Sequence, residues 1–91
     1  MWCYTYVIQS VKNERLYTGH TTDLRRRLKE HNTGHSGWTK NRGPYELIYY
    51  ESCTNIQDAQ SRELFLKSGM GKRYIKNRLK NLLSSNRNES R

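Results

Sequence analysis

The chain has 91 residues, only 33% of them hydrophobic, which predicts a single domain with a small core and excludes a second folded domain. Lys and Arg outnumber Asp and Glu by 17 to 8, giving a net charge of +9 and a pI near 9.9. This charge favours a nucleic-acid partner, although a basic surface that only keeps the protein soluble fits it equally well.

The cysteines and the N-terminus predict the compartment. Cys3 and Cys53 are far apart and neither belongs to a C-x-x-C pair, so neither a zinc knuckle nor a disulfide framework is expected. No stretch approaches the length of a membrane span, and no charged segment leads into an apolar one near residue 1. These features favour a cytoplasmic protein.

A β-hairpin is predicted at the start of the chain. Residues 2–11 are rich in aromatic and β-branched side chains, and the polar residues 12–14 separate them from a second such run that Gly19 ends. Side chains alternate between the two faces of a strand. Tyr6 and Tyr17 therefore share a face if the turn has an even number of residues, and lie on opposite faces if the number is odd.

The remaining elements are predicted from caps and apolar spacing. In chain order they are a helix from the cap residues Thr21-Thr22-Asp23 to about His31, a third strand over about 45–51, a helix over about 56–68 that Gly69 ends, and a helix that follows Gly71. The polar tail, residues 84–91, is expected to be disordered. This order implies one α+β domain over residues 1–83, a small three-stranded antiparallel sheet flanked by helices (β-β-α-β-α-α).

Polar residues on the apolar faces of two helices are the candidates for function. Arg27 and His31 flank the face of the first helix that packs on the sheet, and Glu63 lies in the middle of the inward stripe of the second. A partly buried Arg27–Glu63 salt bridge explains the two charges as well as a catalytic site does. Taken singly, Tyr6 and Tyr17 are better explained as tyrosines that cover a core.

These residues follow one another in a recognisable order along the chain. Tyr4-Thr5-Tyr6 and Tyr17-Thr18-Gly19 form two short motifs, and Arg27, His31 and Glu63 follow on two helices. The set resembles the GIY-YIG endonuclease family from about residue 2 to residue 83, and is most similar to its short stand-alone bacterial members. The first motif differs at its first two positions and the second at its middle position, but both tyrosines are present.

The resemblance implies an endonuclease that hydrolyses phosphodiester bonds in DNA with one Mg²⁺ or Mn²⁺ ion per site. Tyr6 would be the general base and Tyr17 would orient water or phosphate, although which tyrosine carries the proton stays open. Arg27 would stabilise charge in the transition state, His31 would relay a proton or bind phosphate, and Glu63 would hold the ion. A tyrosine with a pKa of about 10 is a poor base at neutral pH, so nearby cations must favour the phenolate.

Further residues are candidates for contact with the substrate. The candidates for contacts to the phosphate backbone are His20, Lys40, Arg42 and Lys67, with solvated surface charge as the alternative. Asn77 matches an asparagine that family members often carry, but it falls on the outer side of the third helix, which favours a surface position. Specificity would come from substrate shape, a partner protein or a homodimer.

Two other classes of protein share this fold and charge. The first is a nucleic-acid-binding module that keeps the GIY-YIG fold without cleaving, and the second is a structural domain with an Arg27–Glu63 ion pair. An inward Glu63 favours the nuclease, because a protein that only binds nucleic acid has no need for it. Repair, mobile-element and restriction roles are equally compatible with the sequence.

Overall fold

A computed structural model of the chain describes residues 1–34 and 43–89. Its elements are β1 (Cys3–Ser10), β2 (Leu16–Thr21), α1 (Leu24–Asn32), β3 (Tyr45–Cys53), α2 (Ile56–Lys67), α3 (Gly69–Arg78) and α4 (Lys80–Glu89). The strands form an antiparallel sheet in the order β2-β1-β3, which confirms the α+β class and the three-stranded sheet. No helix within the described ranges is long and apolar enough to cross a membrane.

Helices cover both faces of the sheet, with β1 at its centre. Tyr6 and Ile8 lie on one face and pack against α1. Val7 lies on the other face and packs against Leu66 of α2 and Ile75 of α3. Seven of the eight residues of β1 are buried, as expected for a strand that is covered on both faces.

The register of the hairpin places the two motif tyrosines on one face. Ile8 pairs with Tyr17 and Tyr6 pairs with Gly19, so Tyr6 and Tyr17 both point toward α1. The prediction that Gly19 ends the second strand is wrong, because β2 continues to Thr21. Within the strand, the Tyr6 ring occupies the space that a side chain at position 19 would fill.

Polar side chains cap the first two helices, and the cap of α1 is among those that the sequence predicts. The Asp23 side chain accepts a hydrogen bond from the backbone N–H of Arg26 at the start of α1. The Asn55 side chain accepts hydrogen bonds from two backbone N–H groups at the start of α2. Each cap satisfies amides that have no partner inside the helix.

The junction between α2 and α3 differs from the prediction. Ser68 ends α2 and also caps α3, since its side chain accepts a hydrogen bond from the N–H of Gly71. α3 therefore begins at Gly69, and Gly71 is inside its first turn rather than before it. A Cβ at Gly71 would lie 1.9 Å from the carbonyl oxygen of Phe65. Glycine at this position lets α3 pack closely on the end of α2.

The predicted third helix is two helices. Leu79 is the C-cap of α3, and its N–H binds the carbonyl of Ile75. α4 follows over Lys80–Glu89. The disorder predicted for the polar tail, residues 84–91, stays a prediction.

Candidate active site at the edge of the sheet

A buried hydrogen bond joins Tyr6 of β1 to His31 of α1. The Tyr6 hydroxyl and Nε2 of His31 are 2.7 Å apart, and the two residues are 1% and 2% exposed. Burial, assisted by the positive charge of Arg27, lowers the pKa of His31 to about 4. Burial raises the pKa of Tyr6 to about 12, although Arg27 opposes the rise. Both groups are therefore neutral at pH 7, and the tautomer of the imidazole decides which of the two donates in this hydrogen bond.

His31 lies deeper in the fold than the sequence predicts. The ring centroids of Tyr6, Tyr17 and Tyr45 lie 5.8, 5.1 and 6.2 Å from that of the imidazole. The next residue, Asn32, exchanges two hydrogen bonds with the backbone of Tyr45. These bonds hold the end of α1 on β3, so His31 is enclosed rather than at the margin of the helix face.

We expect His31 to make the protein less stable in acid. The unfolded chain binds a proton at His31 near pH 6.5 and the folded protein near pH 4, so the free energy of unfolding falls as the pH drops through this range. The expected loss from this group between pH 7 and pH 4 is about 3 kcal/mol. Urea denaturation of the wild type and of His31→Gln at both pH values measures it.

His31→Gln keeps an acceptor for Tyr6 but does not titrate, so it should lose about 3 kcal/mol less than the wild type over this range. The lowered pKa of Glu63 also makes the protein less stable in acid, but it does so in both proteins. Equal losses in the two proteins would contradict the neutral, buried imidazole.

The glycine of the second motif makes room for the tyrosine of the first. A Cβ at Gly19 would lie 2.5 Å from the Tyr6 hydroxyl oxygen and 2.7 Å from the adjacent ring carbon. Only a residue without a side chain leaves space for this ring across the two strands. The two motifs are therefore one structural unit, a role for Gly19 that the sequence analysis missed although the Tyr-x-Gly pattern was visible.

Glu63 of α2 meets two basic side chains. One carboxylate oxygen binds Nδ1 of His20 on β2, and the other lies 2.5 Å from the ammonium group of Lys67 one helical turn later. Burial alone would raise the pKa of Glu63, but the hydrogen bonds from His20 and Lys67 outweigh it and lower the pKa. Glu63 is therefore charged at pH 7.

Arg27 lies between the tyrosine and an acid of its own helix. Its guanidinium donates to the carboxylate of Glu30 at 2.9 Å, and it lies close enough to Tyr6 to lower the pKa of that residue. The alternative of an Arg27–Glu63 salt bridge is wrong, because the two charges take different partners. The charge of Glu63 nevertheless reaches Tyr6 and contributes to its raised pKa, so these groups share one electrostatic environment.

The sequence of the chain matches a known catalytic domain. The sequence pattern of the GIY-YIG catalytic domain matches residues 2–77. The chain belongs to the GIY-YIG family. A UPF0213 protein of Clostridium perfringens is 45% identical over 65 residues, 70% of this chain and 69% of that protein. A UPF0213 protein of Pediococcus acidilactici is 40% identical over 80 residues, 81% of each chain.

A solved structure of a similar protein agrees with the fold. The solution NMR structure of a UPF0213 protein from Bacillus halodurans covers 82% of both chains, with a TM-score of 0.50 and 31% sequence identity. The resemblance to short stand-alone members is thereby confirmed, and membership of the family indicates a nuclease.

The structure places only some of the predicted GIY-YIG substrate contacts near this site. His20 and Lys67 both bind Glu63, and the Lys67 ammonium lies 6.0 Å from the centre of the Tyr17 ring. Asn77 is exposed on α3. Lys40 and Arg42 lie outside the described residues. The candidate GIY-YIG site is thus built from β1, β2, α1 and α2.

The donor atoms of the site fit a metal ion that the substrate helps to coordinate. The described residues contain no cluster of three or more His, Cys, Asp or Glu side chains, so they do not form a cage. Mg²⁺ commonly binds one or two carboxylates and fills its other positions with water and substrate phosphate. The single carboxylate of Glu63 fits that role, and a bound ion would compete with Lys67 for it.

Proposed function

We propose that the protein is an endonuclease that hydrolyses phosphodiester bonds in DNA and requires one Mg²⁺ or Mn²⁺ ion per site. The observation that carries the proposal is the shared electrostatic environment of Tyr6, Arg27 and Glu63 within a GIY-YIG catalytic domain. The net charge of +9 attracts a polyanion to this site. Substrate shape, a partner protein or a second copy of the chain would supply specificity.

Glu63 would hold the divalent ion, and water and a phosphate oxygen would complete the coordination. When bound, such an ion stabilises charge on the phosphate and on the departing 3′-oxygen. Lys67 would then give up part of its contact with Glu63, and its ammonium group would be available to a phosphate next to Tyr17.

Tyr6 would receive the proton of the attacking water. Because its pKa is about 12, Tyr6 is not a free phenolate at pH 7 and acts as a relay instead. Its oxygen accepts a proton from water while its own proton passes to Nε2 of His31 along the existing 2.7 Å hydrogen bond. The hydroxide attacks phosphorus and the bond to the 3′-oxygen breaks. The departing 3′-oxygen takes a proton from solvent water, so the products carry a 5′-phosphate and a 3′-hydroxyl.

Arg27 would stabilise the charge that grows on the phosphate in the transition state. Its side chain is 30% exposed, and its guanidinium, which donates to Glu30, is a planar group with several N–H donors. A planar fork of donors suits phosphate oxygens. Loss of a preorganised donor of this kind costs about 10²–10³ in rate.

Tyr6→Phe and Tyr17→Phe distinguish the relay from an orienting role. We expect Tyr6→Phe to lose about 10²-fold or more in the single-turnover rate, as for loss of a general base, and Tyr17→Phe to lose less, because Tyr17 has no described bond to His31. Single-turnover cleavage rates at one pH measure both. A larger loss in Tyr17→Phe would assign the proton transfer to Tyr17.

Cleavage itself is tested with a panel of DNA substrates. Purified protein is incubated with labelled branched, nicked, single-stranded and duplex DNA, in Mg²⁺ or in EDTA, beside Glu63→Ala and Tyr6→Phe. The proposal predicts cleavage of at least one substrate that EDTA and Glu63→Ala abolish. Cleavage that persists in both variants would come from a contaminating nuclease and would refute the site.

A module that binds nucleic acid without cleaving is the second candidate. The observation that favours it is the pairing of both Glu63 oxygens with His20 and Lys67, since a carboxylate already neutralised in this way has less affinity for a cation. This candidate predicts DNA binding without cleavage of any substrate in the panel. Mg²⁺ would then leave the affinity for DNA largely unchanged.

A further inference from the structure

A groove runs between β2 and α3 on the face of the sheet opposite α1. Two adjoining cavities of about 270 Å³ each form it, and they share Leu16 and Lys76 in their walls. The groove begins at Thr18, which lies two residues from His20 on the same face of β2. This β2–α3 groove therefore leads directly away from the Glu63 carboxylate.

The groove is strongly basic. Between Glu63 and Glu89 the chain has no acidic residue and seven basic ones. Its walls carry Arg15, Lys72, Lys76 and Lys80, and Glu14 stands at the far end. All four cations are exposed.

Several cations elsewhere in the protein have acidic partners. Arg26 and Arg27 pair with Glu30, and Arg62 pairs with Glu51. Within the described part of the chain, the Lys and Arg side chains of the groove form no ion pair. A row of exposed cations without acidic partners favours an external polyanion as the ligand.

We propose that the β2–α3 groove binds the phosphate backbone of duplex DNA on one side of the cleaved bond, an inference that rests on the proposed function. Lys72 and Lys76 are four residues apart on α3, so they lie on one side of the helix about 6 Å apart. Lys80 continues the row at the start of α4. The row of lysines thus continues the basic surface that begins at Lys67, beside Glu63, along the edge of the sheet.

The lining of the groove fits a duplex better than a single strand. Grooves that bind single strands combine cations with aromatic side chains on which the bases stack. Among the described residues that line the β2–α3 groove there is no Phe, Tyr or Trp. Cations alone contact the backbone without reading the sequence, so this surface positions DNA and leaves base recognition to other groups.

The test compares two double variants that remove the same charge. Lys72→Gln/Lys76→Gln changes the groove, and Lys12→Gln/Lys29→Gln removes two exposed lysines from the first turn and from α1. Affinity for a short labelled duplex, and for one of its strands, is measured by fluorescence anisotropy in EDTA over a range of salt concentrations. Thermal unfolding checks that each variant is folded, and exposed lysines are expected to leave it unchanged.

We expect the groove variant to bind the duplex at least about ten-fold more weakly at about 0.1 M salt, with a slope of log K against log salt shallower by about 1.8 for two lost contacts. The control variant should change the affinity less than about two-fold. Equal losses in the two variants, or tighter binding of the single strand by the wild type, would overturn the proposal.

This measurement does not depend on cleavage. If no substrate is cut in Mg²⁺ but duplex binding still requires Lys72 and Lys76, the groove is supported as a DNA-binding surface and the proposed nuclease activity is refuted. If the wild type cleaves DNA and the groove variant cleaves and binds like the wild type, the nuclease activity is supported and the role of the groove in binding DNA is refuted.

Discussion

Glu63→Gln is expected to lower the single-turnover rate of DNA cleavage by at least about 10³-fold, which corresponds to about 4 kcal/mol of transition-state stabilisation. The amide has the same shape as the carboxylate but carries no charge to hold a divalent ion. The substitution also removes the ion pair with Lys67. Rates measured at saturating protein, with Mg²⁺ varied, separate a lost ion site from a weakened one.

Glu51→Gln is the matched control for this variant. Glu51 is also partly buried and also pairs with a cation of α2, since Arg62 donates to both of its oxygens. It lies on β3, at the other edge of the sheet. We expect Glu51→Gln to lose stability and keep the cleavage rate. If cleavage and thermal stability fell in proportion in both variants, Glu63 would be a structural residue only.

Gly71→Ala is expected to have the largest effect on folding, with a loss of about 3 kcal/mol in the free energy of unfolding. The new Cβ would lie 1.9 Å from the carbonyl oxygen of Phe65 and 2.4 Å from the Cα of Leu66. Both atoms belong to the backbone of α2, so the helices must separate. For a domain of this size the loss lowers the melting temperature by roughly 12 °C or more.

Gly69→Ala supplies the control in the same helical turn. A Cβ at Gly69 meets nothing within 4 Å, and alanine loses less backbone entropy on folding than glycine. We expect Gly69→Ala to stabilise the protein by about 0.4–1 kcal/mol. Circular dichroism during thermal unfolding measures both variants. Similar changes at the two positions would contradict the close packing of α3 on α2.

The charged groups of the site have partners among its own residues. Tyr6 and His31 are joined by a hydrogen bond and neither is charged at pH 7, and the Glu63 carboxylate faces His20 and Lys67. This pairing lets the groups lie partly buried without an unpaired charge, which would be costly. The negative charge of a bound phosphate would favour a proton on His31. Substrate binding would therefore make His31 a better acceptor for the proton that Tyr6 passes on.

Local signals in the sequence were sufficient for the elements that position the site. Asp23 and Asn55 cap helices because their short side chains bind nearby amides, an interaction that depends on neighbours in sequence. Strand alternation predicts that Tyr6 and Tyr17 share a face if the turn has an even number of residues. The turn is even, because six residues, 10–15, separate the paired Gln9 and Leu16.

The contacts of the site were not predictable in this way, because they join residues far apart in sequence. Glu63 binds His20, which lies on β2 beyond Gly19, and the space beside Gly19 is filled by the Tyr6 ring from another strand. The sequence suggested that Gly69 and Gly71 both lie outside helices, whereas the packing of α3 on α2 places both within one.

The central claim is that DNA hydrolysis at this site depends on a divalent ion held by Glu63. The most direct test is single-turnover cleavage by the wild type over a Mg²⁺ titration that starts from EDTA. We expect no cleavage in EDTA and a rate that saturates with a Hill coefficient of about one, as for a single ion. Cleavage at an undiminished rate in EDTA, or no cleavage of any DNA at any Mg²⁺ concentration, would contradict the claim.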